Sequence, residues 1–378
     1  MHSILFLSVM NGDPWGGSEE QWFQLALWMA KKNYRVGVAV FEWDEKKEKL
    51  DELKKNGCTI YLIPNKGKGI FKTVRQQHAL SKIPYRDYDM TYVNQGGWKD
   101  IAHGPFKSLY KKLPPYALSF HNYQLNAGLS GGKVNILNNW VQHSAVCIAA
   151  TGVVFKMLEE EYKISVNHKE VSYSPPTFIT PLQSTPYPVV DDAKPIIFLI
   201  LSALDVTRKA QDVIIRALGN EKWKDRNWQL HIYGEGKDRQ MLEQLISDHK
   251  LKDKVLLKGF TKNVKACLEN CHLLVQATHF DAMPISVIEA MAMSRPCMVS
   301  SVGDMPEWVT QNYNGFLVEK VNEVSLNEAL ENAWNCRTNW HQMGLNAFDT
   351  FTKKYPQPFE EKFSALLDNY LKPGKQNN

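Results

Sequence analysis

The sequence passes twice through the same alternation of short β-rich runs and helical stretches. In the first half, strands are predicted at residues 4–9, 36–41, 59–63, 90–93, 117–120 and 146–150. After a break the alternation resumes, with strands predicted at 196–202, 229–233, 255–257, 273–276, 297–300 and 315–318. Because strand, helix and strand in succession fold as a parallel sheet with crossover helices, the chain is predicted to form two Rossmann-like, doubly wound α/β domains.

A proline-rich stretch separates the two halves. Six prolines fall within residues 172–195, where they prevent a helix interior or a central strand. We predict an N-terminal domain over 1–178, a linker over 179–195, a C-terminal domain over 196–352, and a helix over 353–378 that returns to the first domain before the tail. Ligands bind beyond the carboxyl ends of strands in such sheets, so a ligand is predicted in the cleft between the domains.

Charge and cysteine usage narrow the class of protein. The formal charge of +5 favours anionic ligands without indicating nucleic acid. Six cysteines occur without a CxxC pair, which predicts reduced thiols and no structural zinc. The N-terminus lacks the pattern of a signal peptide, and no apolar run has the length of a membrane span. The protein is therefore predicted to be cytoplasmic.

The first predicted strand leads into a glycine turn. Gly16 and Gly17 precede Ser18, which with Gln21 matches a capping box, so a helix is predicted from Ser18. Glycines at this place let backbone N–H groups approach a phosphate, and the helix dipole favours its charge. A tight turn without a ligand explains the same residues equally well.

The second half opens with cations at the equivalent place. Arg208 and Lys209 follow the first strand of that half, where they can neutralise a diphosphate leaving group. A solvated basic turn is the alternative. Gly234, in the GEG turn after the next strand, is a weaker signature of nucleotide binding.

The most informative segment contains two carboxylates around a predicted helix start. Pro284 suits the first helical position, so the amides of Ile285 and Ser286 should form an open N-terminus. Glu289 then lies on the same helix face, where it can accept hydrogen bonds from a ribose, while Asp281 can hold hydroxyls of a transferred sugar. The alternative is a solvent-facing Glu289 and a capping Asp281. The apolar residues flanking Glu289 favour the functional interpretation.

His121 follows the predicted strand at 117–120 and is a candidate to meet the sugar near its reacting carbon. A single histidine is more often structural.

These motifs occur in the order found in a known family. The ordered series comprises GG-x-E at 16–19, His121, RK-x-x-D at 208–212, GEG at 234–236, D-x7-E at 281–289, EAMA at 289–292 and NGFLV at 314–318. Over most of its length the chain resembles the family-4 retaining glycosyltransferases, which have the GT-B fold. That resemblance implies transfer of a hexose-type sugar from a UDP- or GDP-sugar to a glycan or lipid-linked acceptor, in the synthesis of cell-surface polysaccharide. The N-terminal domain would bind the acceptor and the C-terminal domain the nucleotide sugar.

The resemblance also implies roles for individual residues. Gly17 and Lys209 would contact the diphosphate, Glu289 the ribose, and Asp281 with His121 the transferred sugar. The acceptor hydroxyl would attack from the leaving-group face and the donor phosphate would take its proton, with no enzyme nucleophile and no metal cofactor.

Further groups complete the predicted nucleotide-binding set. Gly16, Arg208 and Gly234 belong to it, together with backbone amides near Ile285 and Ser286.

The sequence departs from the family pattern at four places. Asp281 replaces the first glutamate, Ala203 an arginine, Ala210 a glycine, and SPPTF an N-G-V linker. Two other functions stay open: a sugar-nucleotide epimerase of the same fold, and a catalytically silent module that binds sugar nucleotides.

Two basic segments are candidates for peripheral membrane contact. Residues 66–77 combine cations with Ile70 and Phe71, and residues 107–112 combine them with Tyr110. Either segment could rest on an anionic leaflet and present a lipid-linked acceptor. Ordinary solvated surface is the favoured interpretation of both.

Overall fold

The computed structural model describes residues 2–10, 14–121, 129–178, 180–191, 193–355 and 357–371. The chain divides into two compact units, residues 1–175 with 356–378 and residues 176–355. The strands are β1 (Ser3–Ser8), β2 (Arg35–Phe41), β3 (Thr59–Ile63), β4 (Met90–Gln95), β5 (Tyr116–Phe120), β6 (Val146–Ala149), β7 (Lys169–Val171), β8 (Ile196–Leu201), β9 (Trp228–Tyr233), β10 (Val255–Gly259), β11 (Leu273–Gln276), β12 (Cys297–Ser300) and β13 (Gly315–Val318).

The helices are α1 (Gly17–Lys31), α2 (Lys47–Lys55), α3 (Gly69–Ser81), α4 (Gly131–His143), α5 (Gly152–Tyr162), α6 (Val206–Lys209), α7 (Gln211–Leu218), α8 (Arg239–Asp248), α9 (Val264–Glu269), α10 (Ile285–Ala292), α11 (Met305–Trp308), α12 (Glu323–Asn335), α13 (Trp340–Lys354) and α14 (Phe359–Asp368). Short 3₁₀ turns occupy Asp44–Lys46, Tyr85–Asp87, Gly104–Phe106, Leu109–Lys112, Glu221–Trp223 and Arg337–Asn339.

The first unit is built on a parallel sheet whose described strands run in the order β3-β2-β1-β4-β5-β6-β7. Its central strand β1 is buried along its whole length, as its apolar run requires when helices cover both faces of a parallel sheet. The strand order reverses between β1 and β4, so the carboxyl ends of these strands form a switch point. Helix α14 packs on this unit, with Phe363 against Tyr92 at 5.8 Å between ring centroids.

The second unit repeats the design with the order β10-β9-β8-β11-β12-β13 among its described strands, all parallel. Its core contains Phe198 on β8, surrounded by the buried indoles of Trp223, Trp228 and Trp340. The switch point lies between β8 and β11. The prediction of two doubly wound domains, with a C-terminal helix that returns to the first, is confirmed.

The proline-rich segment is tied to the second unit. Arg295 is 1% exposed and donates to backbone carbonyls that include those of Pro186 and Leu268. Tyr187 donates to the carbonyl of His272 at 2.7 Å. A buried guanidinium satisfied by carbonyls costs much less than an unpaired one, and here it fixes residues near 186 to the sheet. Within the described residues, no helix is long and apolar enough to cross a membrane.

Candidate functional site

The loop after β8 carries the two predicted cations on a single helical turn. Helix α6 ends at Lys209, and Ala210 then adopts the left-handed conformation, with φ 48° and ψ 30°, before α7 begins. A glycine adopts this conformation without a steric penalty, which explains the glycine of the family pattern at this place. The carbonyl of Arg208 accepts a hydrogen bond from the amide of His279 at 2.9 Å. The cationic loop is thereby attached to the loop that follows β11.

Lys209 and Asp281 form an ion pair, a contact that the sequence analysis did not foresee. Their side chains are 8% and 16% exposed, and a second Asp281 oxygen accepts from the amide of Ala282 at 3.0 Å. Burial lowers the pKa of the Lys209 ammonium, and the charge of Asp281 opposes that shift. Because an ammonium has three N–H donors, Lys209 can hold Asp281 and still donate to a phosphate oxygen.

Close backbone packing fixes the loop that carries Asp281. Gly303 has φ 58°, and a Cβ there would lie 2.1 Å from the carbonyl oxygen of Ala282 and 2.3 Å from that of Asp281. The amide of Asp304 donates to the same Ala282 carbonyl at 2.9 Å. The sequence alone assigned this glycine no role.

Helix α10 begins at Ile285, one residue later than predicted. Pro284 is its N-cap and has extended backbone, with ψ 128°, so the prediction of Pro284 as the first helical residue is wrong. The first amides of an α-helix have no intrahelical acceptor, and the helix dipole favours negative charge beside them. Ile285 and Ser286 supply such amides, four residues after Asp281. The Ser286 hydroxyl donates to Gln276 at 3.3 Å.

Glu289 is buried, and its carboxylate has a specific partner. Its side chain is 3% exposed, and Oε1 accepts from the amide and the hydroxyl of Thr177 at 2.8 and 2.6 Å. Burial raises the pKa of Glu289, and the two Thr177 hydrogen bonds oppose that shift. The alternative of a solvent-facing Glu289 is therefore excluded. Thr177 lies in the SPPTF segment and was missed because no local pattern links it to a helix more than a hundred residues away.

The glycines of the GEG turn are explained by packing. A Cβ at Gly234, where φ is 152°, would lie 1.9 Å from the carbonyl oxygen of Ser202. A Cβ at Gly236 would lie 2.3 Å from that of Leu204. The turn after β9 thus lies against the loop that leads into α6. The binding role of Gly234 stays a prediction.

In the first unit, the glycine turn itself starts helix α1. Gly16 is the N-cap in an extended conformation, and its carbonyl accepts from the amides of Glu19 and Glu20, each at 3.0 Å. The predicted capping box is wrong, because α1 begins at Gly17 and the Ser18 hydroxyl donates instead to the Met10 sulfur at 2.8 Å. Among the described residues, nothing lies within 4 Å of a Cβ built on Gly16. The phosphate-binding role of Gly16 and Gly17 stays a prediction.

A buried ionic cluster anchors the start of α1. Glu19 and Lys46 have fully buried side chains, with 2.5 Å between Lys46 Nζ and Glu19 Oε1. The same carboxylate accepts from Ser8 on β1 at 3.0 Å and from Asn94 on β4 at 3.2 Å. A buried ion pair of this kind requires further hydrogen bonds to offset desolvation. Those from Ser8 and Asn94 come from strands at the switch point, and the indole of Trp22 on α1 donates another. Glu19 matches the family pattern, but no local pattern indicates this anchoring role.

His121 follows β5 and is held in its neutral form. Burial lowers its pKa to about 3, and Nε2 shares a hydrogen bond with the Ser119 hydroxyl at 3.0 Å. Its Nδ1 is buried without a partner among the described residues, which do not include 122–128. A neutral imidazole can exchange hydrogen bonds with a sugar hydroxyl but does not supply a cation.

The predicted site residues fall into two groups. Arg208, Lys209, Gly234, Asp281, Ile285, Ser286 and Glu289 belong to the second unit, and Gly16, Gly17 and His121 belong to the first. Within the second unit the structure brings Lys209 and Asp281 into contact and joins the Arg208 loop to the same strand end.

Comparison with known proteins bears on the second unit most directly. Residues 189–350 match the family described as Glycosyl transferases group 1. The chain is 29% identical over 166 residues to the poly(ribitol-phosphate) alpha-N-acetylglucosaminyltransferase of Staphylococcus aureus, covering 43% of this chain and 34% of that protein. It is 26% identical over 144 residues to the poly(glycerol-phosphate) alpha-glucosyltransferase of Bacillus subtilis, covering 38% and 21%. The matched part of this chain thus spans about a third or less of the length of these relatives.

Among solved structures, the Anabaena protein HepE in complex with UDP is similar over 97% of this chain and all of that one. The TM-score is 0.74 and the sequence identity 16%, a likeness that bears on the fold alone. The protein therefore has the GT-B fold, and its residues 189–350 are similar to the glycosyl transferases group 1 family.

Proposed function

We propose that this protein is a retaining glycosyltransferase that moves a hexose-type sugar from a UDP- or GDP-sugar to an acceptor hydroxyl. One observation carries the proposal: the buried Lys209–Asp281 pair lies directly before the N-terminus of α10, the helix that contains the buried Glu289. A cation, the open amides of α10 and two carboxylates eight residues apart in the chain suit a sugar joined to a diphosphate.

The cationic groups act on the leaving diphosphate. When the bond between the anomeric carbon and the donor phosphate oxygen breaks, negative charge grows on that phosphate. Lys209 and Arg208 stabilise this charge, helped by the first amides of α10. The Nε of Arg208 is buried without a partner among the described residues, so it has a donor to offer. We propose that these groups replace a metal ion.

The two carboxylates orient the donor. Glu289 accepts hydrogen bonds from the ribose, and Asp281 accepts them from hydroxyls of the transferred sugar, with His121 as a neutral hydrogen-bonding partner. The acceptor oxygen forms its bond to the anomeric carbon on the face that the diphosphate leaves. The acceptor proton passes to the departing phosphate oxygen, so configuration is retained without an enzyme nucleophile.

The names of the relatives guide the choice of acceptor. Both are transferases that act on polymers of a polyol phosphate. We propose an acceptor of the same broad kind, a glycan or lipid-linked polyol chain of the cell surface, glycosylated on the cytoplasmic side. The six cysteines of this chain are free thiols, which suits a reducing compartment.

The first test is ligand binding. Thermal unfolding should be followed with UDP, GDP, ADP and their sugar derivatives, each with EDTA and with magnesium, because a ligand of the native state raises the unfolding temperature. We expect one nucleoside diphosphate to raise it equally under both conditions. Stabilisation that requires magnesium would contradict the metal-independent site, and no stabilisation by any of them would contradict the donor class.

The second test is product analysis. The stabilising sugar nucleotide should be incubated with poly(ribitol phosphate) and poly(glycerol phosphate), and the product examined by mass spectrometry and by NMR of the anomeric proton. A new glycoside with the donor's configuration supports the proposal. An isomer of the donor formed without acceptor indicates an epimerase, and binding without turnover indicates a silent module.

A further inference from the structure

A stretch of the first unit is basic without a single carboxylate. Between residues 53 and 86 the chain has eight lysines and arginines and no aspartate or glutamate. This stretch contains β3, one of the two edge strands among the described strands of the first sheet, and helix α3 beside it. Surfaces of soluble proteins usually intersperse both signs of charge, so a run of one sign indicates an anionic partner.

The same stretch exposes large apolar side chains. Ile70, Phe71 and Val74 on α3 are 74%, 80% and 55% exposed, and Leu62 on β3 is 46% exposed. Ile70 and Phe71 are four and three residues before Val74, so all three share one face of the helix. The buried residues of α3 are Gln76 and Leu80, on its opposite side and towards its C-terminal end. A helix face turned away from its own sheet is normally polar, and this one is apolar.

A groove between β3 and α3 extends this surface. It has a volume of about 620 Å³ and is lined by apolar side chains that include Leu62 and Val74. Arg75, His78 and Lys82 contribute to the same lining. An apolar groove with basic side chains in its lining is complementary to the boundary of a bilayer, where anionic headgroups meet acyl chains.

The second basic segment of the first unit lacks this combination. Tyr110 packs against Trp140 and His143, at 5.7 and 4.9 Å between ring centroids, and Leu109 is buried. Lys107, Lys111 and Lys112 are exposed without large apolar neighbours of comparable exposure in their own segment. The two segments therefore differ in whether exposed apolar side chains accompany the basic groups. Such side chains suit a lipid bilayer and have no use on a purely polyanionic partner.

We infer that α3 and the edge of β3 form a docking surface for an anionic lipid bilayer, with Ile70, Phe71 and Val74 entering the headgroup region. The nearby lysines and arginines contact lipid phosphates. The exposed apolar face favours lipid over a soluble acidic polymer, because such a polymer offers cations a partner but gives apolar side chains nothing to enter.

The test is co-sedimentation of the full chain with vesicles made of equal parts phosphatidylglycerol and phosphatidylcholine. We expect binding that weakens with salt and is at least about tenfold weaker for vesicles of phosphatidylcholine alone. The double variant I70S/F71S should bind at least about tenfold less, since it removes two apolar anchors. The triple variant K66Q/K68Q/K72Q should show a loss of similar size.

A matched control removes the same charge elsewhere in the unit. The variant K107Q/K111Q/K112Q should bind vesicles within about twofold of the unaltered protein. Hydrogen exchange on vesicles should protect residues 62–82 and leave 107–112 unchanged. All variants should unfold near the temperature of the parent, because the replaced side chains are exposed except for Lys72, which is half-buried and donates one hydrogen bond to Asn65.

Several outcomes would overturn the inference. Equal loss in both triple variants would show a general charge effect, and full binding by I70S/F71S would show that the apolar face is not used. Binding to soluble poly(glycerol phosphate) with the same lysine dependence, but not to vesicles, would identify an acidic polymer as the partner. None of these readouts depends on sugar transfer.

Discussion

Replacing Lys209 by methionine should weaken binding of a nucleoside diphosphate much more than binding of the nucleoside. Methionine keeps the length and the apolar stem of lysine but removes the charge. If Lys209 donates to the diphosphate, the variant loses one charge-assisted hydrogen bond, worth about 1.5–3 kcal/mol. Dissociation constants for UDP or GDP should then rise by about ten- to a hundredfold.

The same replacement has a cost in stability that must be measured separately. Removing one partner of a fully buried ion pair costs about 3–5 kcal/mol. Lys209 and Asp281 are 8% and 16% exposed, so water reaches part of the pair and we expect a smaller loss of about 1–3 kcal/mol. Urea unfolding of the unliganded variant measures this quantity.

The assay is isothermal titration calorimetry at a temperature where both proteins are folded. UDP is compared with uridine, and GDP with guanosine, on the parent protein and on the variant. Nucleoside affinity should stay within about twofold, because its contacts do not include the ammonium group. Equal weakening of nucleoside and diphosphate would refute the role of Lys209 and leave only a structural ion pair.

A double variant separates the two roles of the pair. In K209M/D281N, neither side chain is charged, so the unfolding free energy should recover by about 1 kcal/mol or more relative to K209M alone. Diphosphate affinity should not recover, because the ammonium is still missing. Recovery of both quantities would mean that Lys209 acts only by neutralising the charge of Asp281, which repels the diphosphate when it is unpaired.

Three further predictions follow from burial and backbone geometry. Burial raises the pKa of Glu289 above its ordinary 4.5, so its contribution to stability is present below that pH and is lost as pH rises through the folded-state pKa. E289Q should therefore unfold at a higher temperature than the parent near neutral pH, and this difference should vanish in acid. Nucleotide binding and sugar transfer should fall in the same variant. An equal difference in unfolding temperature at every pH would contradict the reasoning. G303A should lower the free energy of unfolding by about 3 kcal/mol or more, because its Cβ would lie 2.1 and 2.3 Å from carbonyl oxygens. The control G57A, at φ 84° with open space around its Cβ, should lower it by about 1 kcal/mol in the same urea titration. A210G replaces an alanine in the left-handed conformation, whereas A217G replaces one in the regular helix α7. A210G should therefore lower the free energy of unfolding by at least about 1 kcal/mol less than A217G does. Equal losses would show that the φ of 48° imposes no strain.

The sequence predicted the strands well where the run was long and buried. β1 and β8 are central strands of apolar residues, and burial on both faces makes such a run recognisable. The strand at Lys169–Val171 was missed, because it has three residues, mostly exposed, at the edge of its sheet. Its existence depends on pairing with β6 and not on any pattern of its own.

The helix starts show a different limit. Gly16 and Ser18 are both acceptable N-caps, and local sequence favours the serine. The structure uses Gly16, since the Ser18 hydroxyl is taken by the Met10 sulfur and Glu19 must turn inward to meet Lys46. Tertiary contacts thus decided between two local alternatives.

The contacts that organise the candidate site were not predictable from the sequence. Lys209 and Asp281 are 72 residues apart in the chain, and Thr177 and Glu289 are 112 apart. Spacing rules report on one helix or one strand, so they identified three of these side chains as candidates without pairing any of them. The pairs depend on which strand ends meet at the switch point and on where the proline-rich segment packs.

These pairs also determine how the site can work. Both donors of Thr177 reach Oε1 of Glu289, so Oε2 keeps its lone pairs for a ligand hydroxyl. Lys209 directs Asp281 from one side, and Gly303 fixes the backbone of its loop from the other. Each carboxylate is therefore oriented by the protein before any sugar arrives, and a ligand gains hydrogen bonds without first ordering the side chains that accept them. Asp281 is shorter than the glutamate of the family pattern, and its ion pair with Lys209 limits its movement. If Asp281 binds the sugar as we propose, we expect its short reach to determine which hydroxyl it holds.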